Sequence, residues 1–372
     1  MLKLRTGLHR SHDMTAVSDL IRSDIKALTA YQVADLPEGF IKLDAMESPY
    51  HPFADDEALL SEWLCLLKKA PIHLYPNPAT SGLQAVLREA FGIPQAAEIA
   101  LGNGSDELIQ LITMLLAKPG AAMLAVEPSF VMYKHNAALF GMDYIGVPLN
   151  EDFTLNLPAV LDAVETHNPA LVFIAYPNNP TGVGFKREEV EAVIRAAKGL
   201  VVVDEAYGAF SGDSFLPQAG SIENLVVMRT ISKIGFAGLR VGYACGCAAV
   251  MRELAKIVPP YNMNQLCLAT AKFALQHADR IVRTTAALKA ERERLFQALS
   301  AIGRLKAFPS ETNFITVRVP DADGAHETLK QNKILVKKLH GSHPLLAQCL
   351  RLTVGSPQQN DAVLKVIRSL YA

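Results

Sequence analysis

One lysine of this sequence has neighbours that would make it a nucleophile. Lys233 is flanked by the hydroxyl residues Thr230 and Ser232 and by glycines and apolar residues. Such surroundings exclude water from an amine, which lowers its pKa and favours Schiff-base formation with an aldehyde. Arg240, later in the same segment, can hold a phosphate through two parallel hydrogen bonds. Taken alone, Lys233 could equally be a solvated loop lysine.

A carboxylate stands at the end of a neighbouring apolar segment. Asp204 directly follows Leu200–Val203, and Tyr207 comes shortly after it. A buried carboxylate needs a partner, and a cationic ring nitrogen would satisfy this one. The phenol of Tyr207 would then lie close to the same ring. The alternative is that Asp204 caps the following loop.

Two further polar segments have the same placement. Asn179 lies in Tyr-Pro-Asn-Asn-Pro-Thr-Gly, directly after the apolar run Leu171–Ala175, where its amide could donate to a ligand or serve only in a turn. Ser105 and Asp106 follow Gly104 and open a helical stretch. The N–H groups of a helix start attract anions, although Ser and Asp are also ordinary helix caps.

The elements that must position these residues follow from the hydrophobic pattern. Short apolar runs at 122–126, 143–148, 171–175, 200–203, 225–228 and 241–244 alternate with helical segments. This alternation predicts an α/β fold with a mostly parallel sheet covered on both faces. Such sheets bind ligands at the carboxyl ends of their strands, where all four polar groups begin. A phosphate cradle, a ring-nitrogen acid, a phenol and an imine lysine together indicate pyridoxal 5′-phosphate (PLP).

The pattern changes along the chain, which predicts three parts. Residues 1–40 are predicted to form an N-terminal arm, residues 41–258 a large PLP-binding domain, and residues 259–372 a small C-terminal α/β domain. Within the last part, residues 264–299 are predicted to form one long helix.

Composition excludes several classes of function. The 36 basic and 37 acidic residues nearly cancel and form no block of like charge, so we expect no nucleic-acid partner. No apolar run is long enough to cross a membrane, and the N-terminus lacks a secretory signal. Five scattered cysteines are typical of a reduced, cytoplasmic protein. Cys245 and Cys247 could be a ligand pair, but no metal site is predicted.

The order of these motifs resembles the fold-type I PLP-dependent aminotransferases, and most of all the histidinol-phosphate aminotransferases. The residues that carry the likeness are Gly-Ser-Asp-Glu at 104–107, Pro-Asn-Asn-Pro-Thr-Gly at 177–182, Asp-Glu-Ala-Tyr at 204–207 and Ser-Lys-(x)₄-Gly-Leu-Arg at 232–240. Segments at 41–50, 74–78 and 349–355 add to it, so the likeness extends from about Leu20 to the end. It implies a seven-stranded sheet in the large domain, as well as a homodimer.

The resemblance also implies a role for each matching residue. Lys233 would carry the cofactor and move the proton, Asp204 would pair with the pyridine nitrogen, and Tyr207 and Asn179 would donate to the ring oxygen. The cofactor would further be held by Phe130 on the ring face, and at its phosphate by Ser105, Asp106, Thr230, Ser232, Arg240 and, from the neighbouring subunit, Tyr75.

Substrate residues are implied in the same way. Arg351 would bind the carboxylate of glutamate or 2-oxoglutarate, and Tyr31 of the arm would reach the second substrate, unless it merely packs on the partner subunit. Lys337 stands where many members have arginine, which keeps the charge but not the forked geometry.

The implied reaction is amino transfer between L-histidinol phosphate and 2-oxoglutarate in histidine biosynthesis, by a ping-pong mechanism. The alternatives are an aromatic amino acid aminotransferase, a PLP-dependent decarboxylase of amino-acid phosphates, or a non-catalytic protein of the same fold.

Overall fold

The computed structural model of the protein describes residues 17–30, 38–78 and 81–371. The segment before residue 36 forms a unit of its own. Its described part holds a 3₁₀ turn, Val17–Leu20, and a one-turn helix α1, Ser23–Lys26. The assignment of residues 1–40 to an arm stays a prediction.

The unit that begins at residue 36 contains two sheets, and its first strand, β1 (Ile41–Leu43), belongs to the smaller one. The larger sheet has seven strands: β2 (Glu98–Asn103), β3 (Ala122–Glu127), β4 (Asp143–Pro148), β5 (Leu171–Ala175), β6 (Leu200–Asp204), β7 (Leu225–Thr230) and β8 (Val241–Gly246). Their order is β2-β8-β7-β6-β5-β3-β4, and β8 alone runs antiparallel to its neighbours. The predicted fold class is confirmed.

The central strands are apolar along their whole length because both faces of the sheet are covered. Every residue of β5 and β6 is buried. Successive side chains of a strand point to opposite faces, so Leu171 and Phe173 pack into one hydrophobic core, and Val172 and Ile174 into the other. Strands of this composition are typical of a parallel sheet between two helical layers.

Helices follow the strands and cover these faces. They are α4 (Ser105–Leu116), α5 (Met132–Phe140), α6 (Leu157–His167), α7 (Arg187–Ala196) and α8 (Ala248–Ile257), whereas α2 (Glu57–Lys68) and α3 (Leu83–Phe91) precede β2. In α7 the buried residues are Val190, Val193 and Ile194, spaced so that they form one apolar stripe on an otherwise charged helix. Helices α4 and α5 begin at the carboxyl edge of the sheet, where the predicted site residues lie.

The smaller sheet has five strands in the order β1-β11-β12-β10-β9. Its later strands are β9 (Lys306–Ala307), β10 (Phe314–Arg318), β11 (Ile334–Lys338) and β12 (Cys349–Thr353), and the helices of this region are α9 (Gln265–Gln276), α10 (Ala278–Ser300), α11 (Ala322–Gln331) and α12 (Pro357–Tyr371). Strand β1 pairs in parallel with β11 and so contributes residues 41–43 to this sheet. The division at residues 41, 258 and 259 stays a prediction.

The prediction of one long helix over 264–299 is wrong. The chain forms two helices, α9 and α10, which meet at His277, where φ and ψ are −111° and 42°. The His277 ring packs on Phe273 with the ring centres 4.7 Å apart. The amphipathic pattern continues through the break, and neither glycine nor proline marks it, so the sequence gives no sign of the bend.

No helix within 17–30, 38–78 and 81–371 is both long enough and apolar enough to cross a membrane.

A buried ion pair joins the ends of β6 and β7. Arg229 donates to Glu205 through Nε at 2.8 Å and Nη2 at 2.6 Å, and the Glu205 side chain is fully buried. Ser214 and the Phe215 backbone N–H also donate to this carboxylate. Because β6 leads to Asp204 and β7 to Lys233, this network fixes the relative position of the two strand ends.

Loss of Arg229 should therefore destabilise the fold more than loss of an exposed arginine. We predict that Arg229→Met lowers the free energy of unfolding by about 3 kcal/mol, because Glu205 stays buried without its charge partner. The matched control is Arg252→Met, which breaks an exposed pair with Glu98 and should change it by less than about 1 kcal/mol. Chemical denaturation of both variants measures this, and equal losses would contradict the prediction.

Candidate active site

A single pocket at the carboxyl edge of the larger sheet collects most of the predicted site residues. Its lining comprises Met46, Ser105, Asp106, Phe130, Tyr133, Ala175, Asn179, Asp204, Ala206, Tyr207, Thr230, Ser232, Lys233 and Arg240. All ten cofactor residues expected on one subunit are in this set, including the two ring-oxygen donors Asn179 and Tyr207. The strand-end rule accounts for the convergence, since these residues follow β2, β3, β5, β6 and β7.

One end of the pocket is arranged to hold an anion. Helix α4 begins at Ser105 after Gly104, whose φ is +88°, so the first N–H groups of the helix are available there. Thr230 Oγ1 donates to Ser232 Oγ at 2.8 Å, and Arg240 pairs with Asp106 at 3.2 Å. This end therefore combines backbone donors, two hydroxyls and a guanidinium.

The anion-binding end also depends on a close backbone approach. A Cβ on Gly242 of β8 would lie 2.6 Å from the Ser105 nitrogen. A side chain at this position would displace the start of α4, because Cβ atoms essentially never come so close to backbone.

Asp204 lines the same pocket and is buried. Its Oδ1 accepts a hydrogen bond from the Ala206 N–H at 3.0 Å, and its Oδ2 accepts one from Tyr133 Oη at 2.7 Å. Burial raises the pKa of Asp204 to about 6, while these two hydrogen bonds and Lys233 act in the other direction. The carboxylate of Asp204 could therefore pair with a positively charged group.

Lys233 also lines this pocket. It is part of the 3₁₀ turn Ser232–Ile234, and its Nζ is 5.7 Å from the centre of the Tyr207 ring. Burial lowers the pKa of Lys233 to about 8, and the positive charges of Arg351 and Arg240 add to this effect. On the order of a tenth of this amine is thus neutral at pH 7, far more than for an ordinary lysine, and the neutral form is the nucleophile.

Arg351 reaches the pocket from the smaller sheet. Its Nη1 donates to Asn179 Oδ1 at 2.7 Å, and its Nη2 donates to the Asp44 carbonyl at 2.8 Å. Lys337 is directly opposite Arg351 on the neighbouring antiparallel strand, so both side chains leave the same face of the sheet. Lys337 is exposed, whereas Arg351 is buried.

Arg351, Lys337 and Tyr75 were also predicted as site residues, but they do not line this pocket. Tyr75 is 81% exposed and stacks on Tyr261 with the ring centres 4.7 Å apart. Its expected contact is with a neighbouring subunit, so this role stays a prediction. Tyr31 lies outside the described residues.

Tyr133 and Met46 also line the pocket, although the sequence analysis gave them no role. The one sequence signal for Tyr133 is its spacing from Phe130, because residues three apart share a face of a helical turn. Met46 lies within the motif at 41–50, but nothing in its residue type indicates a ligand. Among the described residues, no group of three or more His, Cys, Asp or Glu could hold a metal ion.

The fold and this pocket define an aminotransferase. The sequence profile of aminotransferase class I and II matches residues 41–367, and the chain belongs to that family.

Individual relatives make the assignment narrower. The chain is 72% identical to the histidinol-phosphate aminotransferase of Neisseria meningitidis, with 96% of this chain and 98% of the relative covered. It is 55% identical to that of Chromobacterium violaceum, over 95% and 99% of the two chains. The crystal structure of histidinol-phosphate aminotransferase from Sinorhizobium meliloti in complex with PLP has a TM-score of 0.82 at 26% identity, and covers 94% of this chain and 98% of its own. The resemblance found in the sequence is thereby confirmed.

The lowered pKa of Lys233 can be tested directly. We predict that acetylation of Lys233 in the cofactor-free protein rises with pH along a titration centred at about 8, because the neutral amine is the form that reacts. Trace labelling followed by peptide mapping measures each lysine separately. Lys198, an exposed residue at the other end of the sheet, provides the reference rate. A midpoint for Lys233 above pH 10 would contradict this prediction.

Proposed function

We propose that this protein transfers the amino group of L-histidinol phosphate to 2-oxoglutarate, giving imidazole-acetol phosphate and L-glutamate in histidine biosynthesis. The observation that supports this most strongly is the 72% identity to a histidinol-phosphate aminotransferase over nearly the whole chain. The pocket supplies the chemical groups that the reaction requires.

The residues of the pocket fit PLP. The N–H groups of Ser105 and Asp106, the hydroxyls of Thr230 and Ser232, and Arg240 would hold its phosphate, while Phe130 would stack on the ring. Asp204 is buried and forms no ion pair with another described residue, so a protonated pyridine nitrogen would suit it. Bound in this way, PLP would supply an electron sink for the substrate Cα.

The remaining groups then act on protons. Lys233 would hold the cofactor through Nζ, and in its neutral form this amine would accept the proton of the substrate Cα and later donate it. Tyr207 and Asn179 would donate to the ring oxygen. Burial raises the pKa of the Tyr207 phenol, so this group stays a donor throughout the working pH range.

Both substrates carry an anion, and we infer that Arg351 binds each in turn. Its guanidinium donates to Asn179 and to the Asp44 carbonyl, which fixes the orientation of the guanidinium plane. Lys337, on the same face, would add charge for the phosphate of histidinol phosphate. Tyr31 would contribute from the arm.

Two other activities share the cofactor pocket but differ at the substrate. An aromatic amino acid aminotransferase needs no phosphate site, so Lys337→Ala would leave its activity unchanged. A decarboxylase of amino-acid phosphates would release carbon dioxide and consume no keto acid. A non-catalytic protein of this fold would not require a desolvated lysine, and the lowered pKa of Lys233 disfavours it.

We further propose a homodimer with shared active sites. Tyr75 is the expected link, because a side chain that is 81% exposed in one subunit is available to a neighbour's cofactor phosphate. We also propose a cytoplasmic location, which agrees with five cysteines that all remain free thiols.

The substrate proposal leads to a half-reaction test. With the PLP-loaded enzyme, L-histidinol phosphate should convert the cofactor to its pyridoxamine form at least tenfold faster than phenylalanine or aspartate, because only the phosphate satisfies both cationic side chains. Stopped-flow absorbance measures the rate for each donor. Equal rates would contradict the substrate assignment, and carbon dioxide release without a keto acid would favour the decarboxylase.

Mixed dimers test the shared site. Tyr75→Ala and Lys233→Ala should each have low activity alone, but their co-expression should restore about a quarter of the wild-type sites, since half of randomly mixed dimers combine one intact Lys233 with the partner's intact Tyr75. Steady-state activity, with light scattering for the mass, measures this. If Tyr75 acts in its own subunit, no intact site forms and activity stays low.

A further inference from the structure

A buried phenol next to the pocket has no role in the reaction described above. Tyr133 lies in the first turn of α5 and is fully buried. Its ring stacks on Phe173 of β5, with centres 4.5 Å apart and planes 6° from parallel, and Phe130 packs edge-on against it at 5.8 Å. These two ring contacts restrict the orientation of the Tyr133 side chain and so fix the position of its hydroxyl.

That position brings the hydroxyl to Asp204. Tyr133 Oη donates to Asp204 Oδ2 at 2.7 Å, while the Ala206 N–H donates to Oδ1 at 3.0 Å. Burial and the charge of Asp204 raise the pKa of the Tyr133 phenol well above its usual value. The phenol is therefore always protonated and can donate to a carboxylate, which favours the ionised form of Asp204.

We propose that Tyr133 is a positioning residue, which holds Asp204 ionised and directs its carboxylate at the pyridine nitrogen of the cofactor. The inference rests on the proposed function, because it concerns the same acid and the same ring. Its physical basis is that a buried carboxylate can be ionised only where donors replace the water it has lost.

Several titratable groups face Asp204 and determine how its pKa should change in a variant. Besides Tyr133, these are Asp106 of α4, Lys233 after β7 and the Tyr207 phenol; Asp106 raises the pKa of Asp204 and Lys233 lowers it. Removal of the Tyr133 hydroxyl removes a group that lowers this pKa, so the pKa of Asp204 should rise. Asp204 is ionised only above its pKa, and the ionised form is the one that binds the cofactor. In the variant, PLP affinity should therefore begin to fall at a higher pH than in the wild type.

The test is the affinity of the cofactor-free protein for PLP, titrated by absorbance and fluorescence at several pH values. Tyr133→Phe keeps the ring and its stacking but should weaken binding at pH 7 by roughly tenfold to a hundredfold, the effect of one hydrogen bond to a charged group. The matched control is Tyr144→Phe, which removes a phenol that hydrogen-bonds to Glu127 outside the pocket. It should leave both the dissociation constant and its pH profile unchanged.

A double-mutant cycle distinguishes positioning from packing. In an Asp204→Asn background, the further change Tyr133→Phe should alter PLP affinity less than twofold, because the charge through which Tyr133 acts is gone. A packing role would produce the same loss in both backgrounds, and that result, or a Tyr133→Phe protein with wild-type affinity and pH profile, would overturn the inference. If the wild-type protein itself fails to bind PLP, the proposed function fails instead.

Discussion

A carboxylate that is buried and ionised needs donors and a positive partner, and the carboxyl edge of the larger sheet is organised around this requirement at Asp204. Two hydrogen bonds stabilise its charge, yet burial still holds its pKa at about 6. A protonated pyridine nitrogen would supply the positive partner that this carboxylate requires. The lowered pKa of Lys233 has the same origin, since both groups are removed from water in one pocket.

The smaller sheet is connected to this pocket through the turn that carries Asn179. Arg351 of β12 donates to the Asn179 side chain, and Thr316 of β10 donates to the Pro180 carbonyl at 2.6 Å. The Glu311 N–H also donates to the Gly182 carbonyl at 2.9 Å. Arg351, proposed to bind the substrate anion, therefore donates to Asn179, proposed to bind the cofactor. A shift of one sheet relative to the other would change the positions of both residues.

The sequence was sufficient to predict the strands and the polar residues at their ends, because a parallel sheet between helices leaves a strong apolar signal. Asp204 and Lys233 could be placed together by this rule alone. Tyr133 could not, because its bond to Asp204 joins residues 71 positions apart and depends on how α5 packs. The break at His277 was missed because the amphipathic period does not change there. The pairing of β1 with β11 likewise depends on tertiary contacts.

The proposed function depends on covalent attachment of PLP at one amine. Borohydride reduction of the PLP-loaded protein, followed by proteolysis and mass spectrometry, locates that amine directly. We predict a single pyridoxyl label on Lys233, and none in Lys233→Ala treated identically. A protein that takes up no PLP, or a label that is found mainly on another lysine, would contradict the proposed function.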